Sequence, residues 1–125
     1  MRTFDISTKV MDGLTVLRVS GDLDATDAPI LSWSLSSGLA STGGVVIDLS
    51  ECDFIDSSGL AAIVEAWRGC NGPESRGGVV LAGPSGQVDR IIRITGLDQS
   101  LAIFDGLDEA LAALAPDELA EARAI

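Results

Sequence analysis

The chain has 125 residues, 46% of them hydrophobic and 22% charged, which suits one globular domain with a modest core. Nineteen acids against eight bases give a formal net charge of −11, and Lys9 is the one lysine, so direct binding to nucleic acid is excluded for want of cationic surface. No apolar stretch is long enough to span a bilayer and Met1–Asp5 does not open an apolar leader, so a cytoplasmic protein without membrane insertion is expected.

Phe4 to Val10 alternates and predicts an outer strand. A turn at Asp12-Gly13 leads into Leu14–Val19, so the two runs form a hairpin. Thr26 or Asp27 is placed to cap a first helix that tolerates Pro29 in its first turn. Ala28, Leu31, Leu35 and Leu39 give it an apolar face, and it should end between Gly38 and Gly44. Gly44–Leu49 is a β-branched apolar run of the kind that makes a buried strand. Leu60, Ile63, Val64 and Trp67 recur at helical spacing, so a second helix begins near Ser57 and Ser58. Trp67 falls on the buried face of that helix, whereas Trp33 lies off the apolar face of the first.

A polar, glycine-rich segment follows from Gly69 to Gly78, longer than an ordinary helix-to-strand link, and an extended surface loop is expected there. Gly78–Ala82 is the next strand, and Ser85 is expected to cap a third helix through Val88, Ile91 and Ile92 that stops at Thr95-Gly96. Leu101–Phe104 is a last short strand, and Leu107, Ala110, Leu111 and Leu114 mark a final helix. Pro116 breaks that pattern, so the domain is assigned to residues 1–115, with 116–125 a tail or a short separate helix. Strands alternating with helices after an opening hairpin predict a mixed α/β sheet with parallel crossovers.

The chemistry centres on Asp56-Ser57-Ser58-Gly59-Leu60, at a strand-to-helix junction. The first amides of a helix lack internal partners, so a hydroxyl there can cap them, and a phosphate there is favoured by the same amides and by the helix dipole. Such a junction suits a serine switched by phosphorylation. Between Arg18 and Arg68 there is no basic residue, while the interval holds Asp22, Asp24, Asp27, Asp48, Glu51, Asp53, Asp56 and Glu65. An acidic field of this kind keeps a protein soluble and also suits docking of a basic partner surface.

Three motifs in order carry a resemblance. They are Gly21-Asp22-Leu23-Asp24 after the second strand, Phe54-Ile55-Asp56-Ser57-Ser58-Gly59-Leu60, and Val88-Asp89-Arg90 with Thr95-Gly96-Leu97. Together with Ala28-Pro29 they resemble the single-domain anti-sigma factor antagonists of the bacterial STAS family over residues 4–114. The resemblance implies an α/β STAS fold: a mixed four- to five-stranded sheet with about four helices packed largely on one side. It also implies a switch. The unphosphorylated protein binds an anti-sigma factor of the serine-kinase ATPase type and releases the sigma factor. Phosphorylation turns it off, and a metal-dependent serine phosphatase resets it.

The family pattern places the phosphate on Ser57, with Ser58 the secondary candidate. Asp56 is expected to orient the Ser57 hydroxyl or to cap the helix, and Gly59 to allow close approach of a partner or tight packing. Asp22 and Asp24 are expected to line the partner surface with Asp56, Ser57, Ser58 and Gly59, or to serve as turn residues. The alternative is a STAS subunit acting as a binding module in a lipid-transport or stress-signalling complex.

Enzyme readings fare worse. A serine hydrolase needs a histidine base, and the chain has none. Two cysteines without histidine, Cys52 and Cys70, make a poor zinc site and a weak case for a redox pair. No phosphate-binding loop of the Gly-x-x-x-x-Gly-Lys type is present, and Gly83-Pro84-Ser85-Gly86 is a weak substitute. A non-enzymatic protein without metal or cofactor is expected, with ATP brought by the kinase partner.

Overall fold

The computed structural model describes residues 3–70 and 78–114. Residues 71–77 of the loop expected from Gly69 to Gly78, and the tail over 116–125, lie outside the described residues. The chain opens with β1 (Asp5–Met11) and β2 (Leu14–Leu23), joined at Asp12-Gly13. Both turn residues have positive φ, at 55° and 78°, as the two-residue turn of a tight hairpin requires. Then come α1 (Ala28–Thr42), β3 (Gly44–Ile55), α2 (Ser57–Arg68), β4 (Gly78–Ala82), α3 (Gly86–Ile94), β5 (Ile103–Phe104) and α4 (Leu107–Leu114).

The strands form one sheet in the order β1-β2-β3-β4-β5, with β1 antiparallel to β2 and all other pairs parallel. Helices α1, α2 and α3 cover one face, where Leu31, Leu35, Ile63, Val88 and Ile92 pack against Leu17, Val19, Val45, Ile47 and Leu81. On the other face α4 presents Ala110 and Leu111 to Val16, Val46 and Val80. Val45 to Leu49 is buried throughout because the sheet is covered on both sides at its centre. This is the mixed α/β architecture expected, with three of the four described α-helices on one side.

Several boundaries differ from the expected ones. β3 runs to Ile55 rather than Leu49, because Ser50–Phe54 continue as a strand against the end of β2. β2 likewise continues through Gly21 and Asp22, with register shifts, so this stretch is strand and the turn begins after Leu23. α1 ends within the expected Gly38–Gly44 interval, at Thr42; it passes through Gly38, where a Cβ would stand 2.8 Å from Thr15 Cγ2 and 3.0 Å from Val45 Cγ2, so the missing side chain seats the helix on the sheet. Gly43, at φ 80°, ends that helix by donating to the Leu39 carbonyl. Ser85 occupies the N-cap position of α3, but its side chain makes no cap bond.

Gly21 and Gly96 both hold left-handed backbone, at φ 78° and 77°. At Gly96 an added Cβ meets nothing within 4 Å, whereas at Gly21 it runs into the carbonyl of Thr3. Gly96→Ala should therefore lose about 1–2 kcal/mol from backbone strain alone. Gly21→Ala should lose clearly more in urea denaturation. Equal losses would show that the contact between Gly21 and Thr3 does not constrain the fold.

Candidate functional site

The parallel ends of β2 and β3 bring the separated motifs together. Asp22 lies opposite Phe54 and Leu23 opposite Ile55. Asp56 then donates its amide to the Leu23 carbonyl at 3.2 Å, which extends the contact one residue beyond the strand. Asp24 follows directly, so Asp22, Asp24 and Asp56–Gly59 lie at the carboxyl ends of neighbouring strands. Open α/β sheets present ligand and partner sites at this end.

The helix start is built by the aspartate. Asp56 has extended backbone, and its Oδ1 accepts the amides of Ser58 at 2.9 Å and Gly59 at 3.1 Å. Its carbonyl accepts the Leu60 amide at 3.1 Å. Of the two caps considered from sequence, a serine hydroxyl and the Asp56 carboxylate, the carboxylate forms, and it reaches the amides two and three residues on. Ser57 is the first residue of α2 and is exposed, and among the described residues no group engages its hydroxyl. Ser58 is half-buried, with its amide held by Asp56.

Gly59 is buried. A Cβ there would sit 2.8 Å from Ile55 Cγ1 and 2.9 Å from Leu23 Cγ and Cδ2, so its bareness serves packing against the core. Asp24 organises the turn into α1. Its Oδ1 accepts the Thr26 amide at 2.9 Å, and its carbonyl accepts those of Asp27 at 3.1 Å and Ala28 at 2.9 Å. Thr26 and Asp27, the caps expected from sequence, make no such bond with their side chains. Burial, then the charge and hydrogen bond of Asp24, push the Asp27 carboxyl above its ordinary value.

One residue at the site carried no sequence signal. Gln87, in the first turn of α3, accepts the Ile55 amide on Oε1 at 3.0 Å and donates from Nε2 to the Ile55 carbonyl at 3.1 Å. β4 ends at Ala82, opposite Asp48, so β3 overruns it, and the Gln87 amide takes the place of a neighbouring strand just before Asp56. Among the described residues no group of three or more His, Cys, Asp or Glu is placed to hold a metal ion. Glu51 and Asp53 line a shallow basin with Thr3, Ser20 and Gly21 beside the site, adding to its negative charge. Arg18 is turned to the α4 face, where its Nε donates to buried Asp48 at 3.2 Å.

Cys52 and Cys70 form no disulfide with one another. Cys70 lies against Gly78, which pairs with Gly44 at the start of β3, while Cys52 lies eight residues further along that strand. At a rise of about 3.3 Å per residue the two ends are roughly 26 Å apart, well beyond disulfide reach. Trp67 is half-buried against the core, whereas Trp33 is 72% exposed. Among the described residues no helix is long and apolar enough to cross a membrane.

Residues 5–110 match the model of the STAS domain. An anti-sigma-B factor antagonist of Listeria monocytogenes is 35% identical over 86 residues, 68% of this chain and 74% of that protein. The crystal structure of an anti-sigma factor antagonist from Mycobacterium paratuberculosis superposes with a TM-score of 0.81 at 30% identity, over 91% of this chain and 96% of that one. The anti-sigma factor antagonist SpoIIAA in its unphosphorylated form shares the fold, with a TM-score of 0.63 at 18% identity over 98% and 100% of the two chains.

Asp56→Ala should cost about 1 kcal/mol of stability through the lost cap, and Asp56→Asn should recover most of it, because asparagine caps comparably. Chemical denaturation of the two variants checks this; equal losses would point to the charge of Asp56 instead of its capping geometry. Burial holds the Cys52 thiol at about 11, against an ordinary 9.0. Two units cut its thiolate by ~100-fold near pH 8. Alkylation of the native protein should therefore label Cys70 first and reach Cys52 only on unfolding. Equal labelling rates in the native protein would contradict the burial of Cys52.

Proposed function

This chain belongs to the STAS domain family, and we propose that it is an anti-sigma factor antagonist switched by phosphorylation of Ser57. The observation that carries the proposal is the division of labour at the start of α2. Asp56 caps the helix, which leaves the neighbouring hydroxyl exposed and unengaged among the described residues. The names of the Listeria and Mycobacterium relatives support the role.

Unphosphorylated, the protein docks an anti-sigma factor of the serine-kinase ATPase type through Asp22, Asp24, Asp56, Ser57 and Ser58, and the sigma factor is released. Gly59 contributes by seating this surface on the core. The kinase brings the ATP. Its γ-phosphoryl group moves to Ser57 Oγ, the bond to ADP breaks, and the hydroxyl proton leaves to a base. Asp56 Oδ1 is held by two amides, so Asp56 fixes the backbone on which Ser57 stands.

The same two amides are then unavailable to a phosphate on Ser57. The new group, with about −1.5 to −2 charges, stays at the surface beside Asp22, Asp24 and Asp56. The bulk of the phosphate at the docking face, and the cost of stripping water from its charges there, expel the partner without refolding. A metal-dependent serine phosphatase resets the switch.

The test is to incubate the chain with ATP and the serine-kinase anti-sigma factors of its own host, then to map phosphopeptides. Phosphate on Ser57 is expected. Phosphate on Ser58 would move the site, and no phosphate with any kinase would sink the switch. Ser57→Ala should bind the anti-sigma factor whether or not ATP is present. Ser57→Asp should weaken binding by about tenfold or more, because the carboxylate crowds the contact and must be desolvated there.

A further inference from the structure

The outer edge of the sheet carries an inference that stands apart from the Ser57 switch. Among the described residues β1 pairs with β2 alone, and every residue of β1 except half-buried Ile6 is exposed. The two-residue turn makes Met11 and Leu14 a hydrogen-bonded pair, and such pairs alternate along an antiparallel ladder. Asp5, Ser7, Lys9 and Met11 therefore spend their amides and carbonyls on β2. Ile6, Thr8 and Val10 direct theirs outward, as an open edge ready to pair.

We propose that β1 pairs antiparallel with β1 of a second copy of this chain, centred on Ser7. In that register the outward groups of Ile6 face those of Thr8 of the second copy. Asp5 meets Lys9 of the second copy, and Lys9 meets its Asp5. Both ion pairs fall at non-hydrogen-bonded positions, where facing side chains approach most closely. The ladder permits shifts of two residues, and a shift either way sets Lys9 opposite Ser7 or Thr3 and loses both pairs. The one lysine of the chain thus stands where this pairing needs it. A lone edge lysine ordinarily repels a second copy, and Asp5 reverses that effect.

The apolar residues agree. Val10, 64% exposed, and Trp33 of α1 line a groove on the helix-covered side of β1. The pairing sets Val10 opposite Phe4 of the second copy. A two-fold axis perpendicular to the sheet puts both grooves on one side, as a trough floored by the two β1 strands and walled by the two α1 helices. Because the strands run in opposite directions, the two Ser57 sites come to lie at opposite ends of the joined sheet, clear of the contact.

Sedimentation equilibrium of the full chain, from micromolar to millimolar concentration, tests the proposal. A dimer is expected. Lys9→Glu should weaken it by roughly tenfold or more, since two attractions become two repulsions. Asp5→Lys combined with Lys9→Asp should restore it, because the exchanged charges still face one another. Circular dichroism establishes that each variant is folded. A parent that stays monomeric at millimolar concentration overturns the proposal. So does a dimer indifferent to Lys9→Glu, or a folded double variant that stays monomeric.

Discussion

The first turn of α2 lies so close to the ends of β2 and β3 that no side chain fits between them. Gly59 stands on that contact, with side-chain atoms of Leu23 and Ile55 within 2.9 Å of where its Cβ would be. The closeness has a chain of consequences. It brings the Asp56 amide within reach of the Leu23 carbonyl and so ties the helix start to β2. With Asp56 held there, its carboxylate turns onto the amides of Ser58 and Gly59. With those amides taken, Ser57 is left on the outside of the turn with an unengaged hydroxyl. A buried glycine thus determines the exposure of a serine two residues away.

Charge is distributed to the same end. Arg18 is bound to Asp48 on the α4 face, and Arg93 of α3 is engaged by Asp89 of the same helix at 3.0 Å and by Asp98, just beyond it, at 3.7 Å. Asp22, Asp24, Asp53, Glu51 and Asp56 gather near the carboxyl ends of β2 and β3, in a stretch of chain that contains no base. A partner that supplies positive charge gains from this field at long range, and the field weakens as salt is added.

Much of this was legible in the sequence, for local reasons. Asp12-Gly13 announces its hairpin because only certain residues accept positive φ in a two-residue turn. The apolar spacing of α2 and the β-branched run of β3 follow from burial. The misses share a different cause. Ser57 and Asp56 are both good cap formers, so local propensity does not rank them, and the placement of the Asp56 amide against β2 decides. Ser50–Phe54 lacks apolar alternation, and its strand character comes from pairing with β2. Gln87 meets Ile55 across 32 residues of chain, a contact with no trace in local pattern.

That last contact bears on solubility. The overhang of β3 beyond β4 is a strand edge without a strand neighbour on that side, next to the exposed Ser57. Exposed strand edges invite intermolecular strand addition and, in time, fibrils. A strand neighbour would close this edge but would also cover the docking face. The Gln87 amide satisfies one residue's donor and acceptor with three heavy atoms and adds no backbone that could template further growth. The edge stays open enough for a partner and closed to accretion.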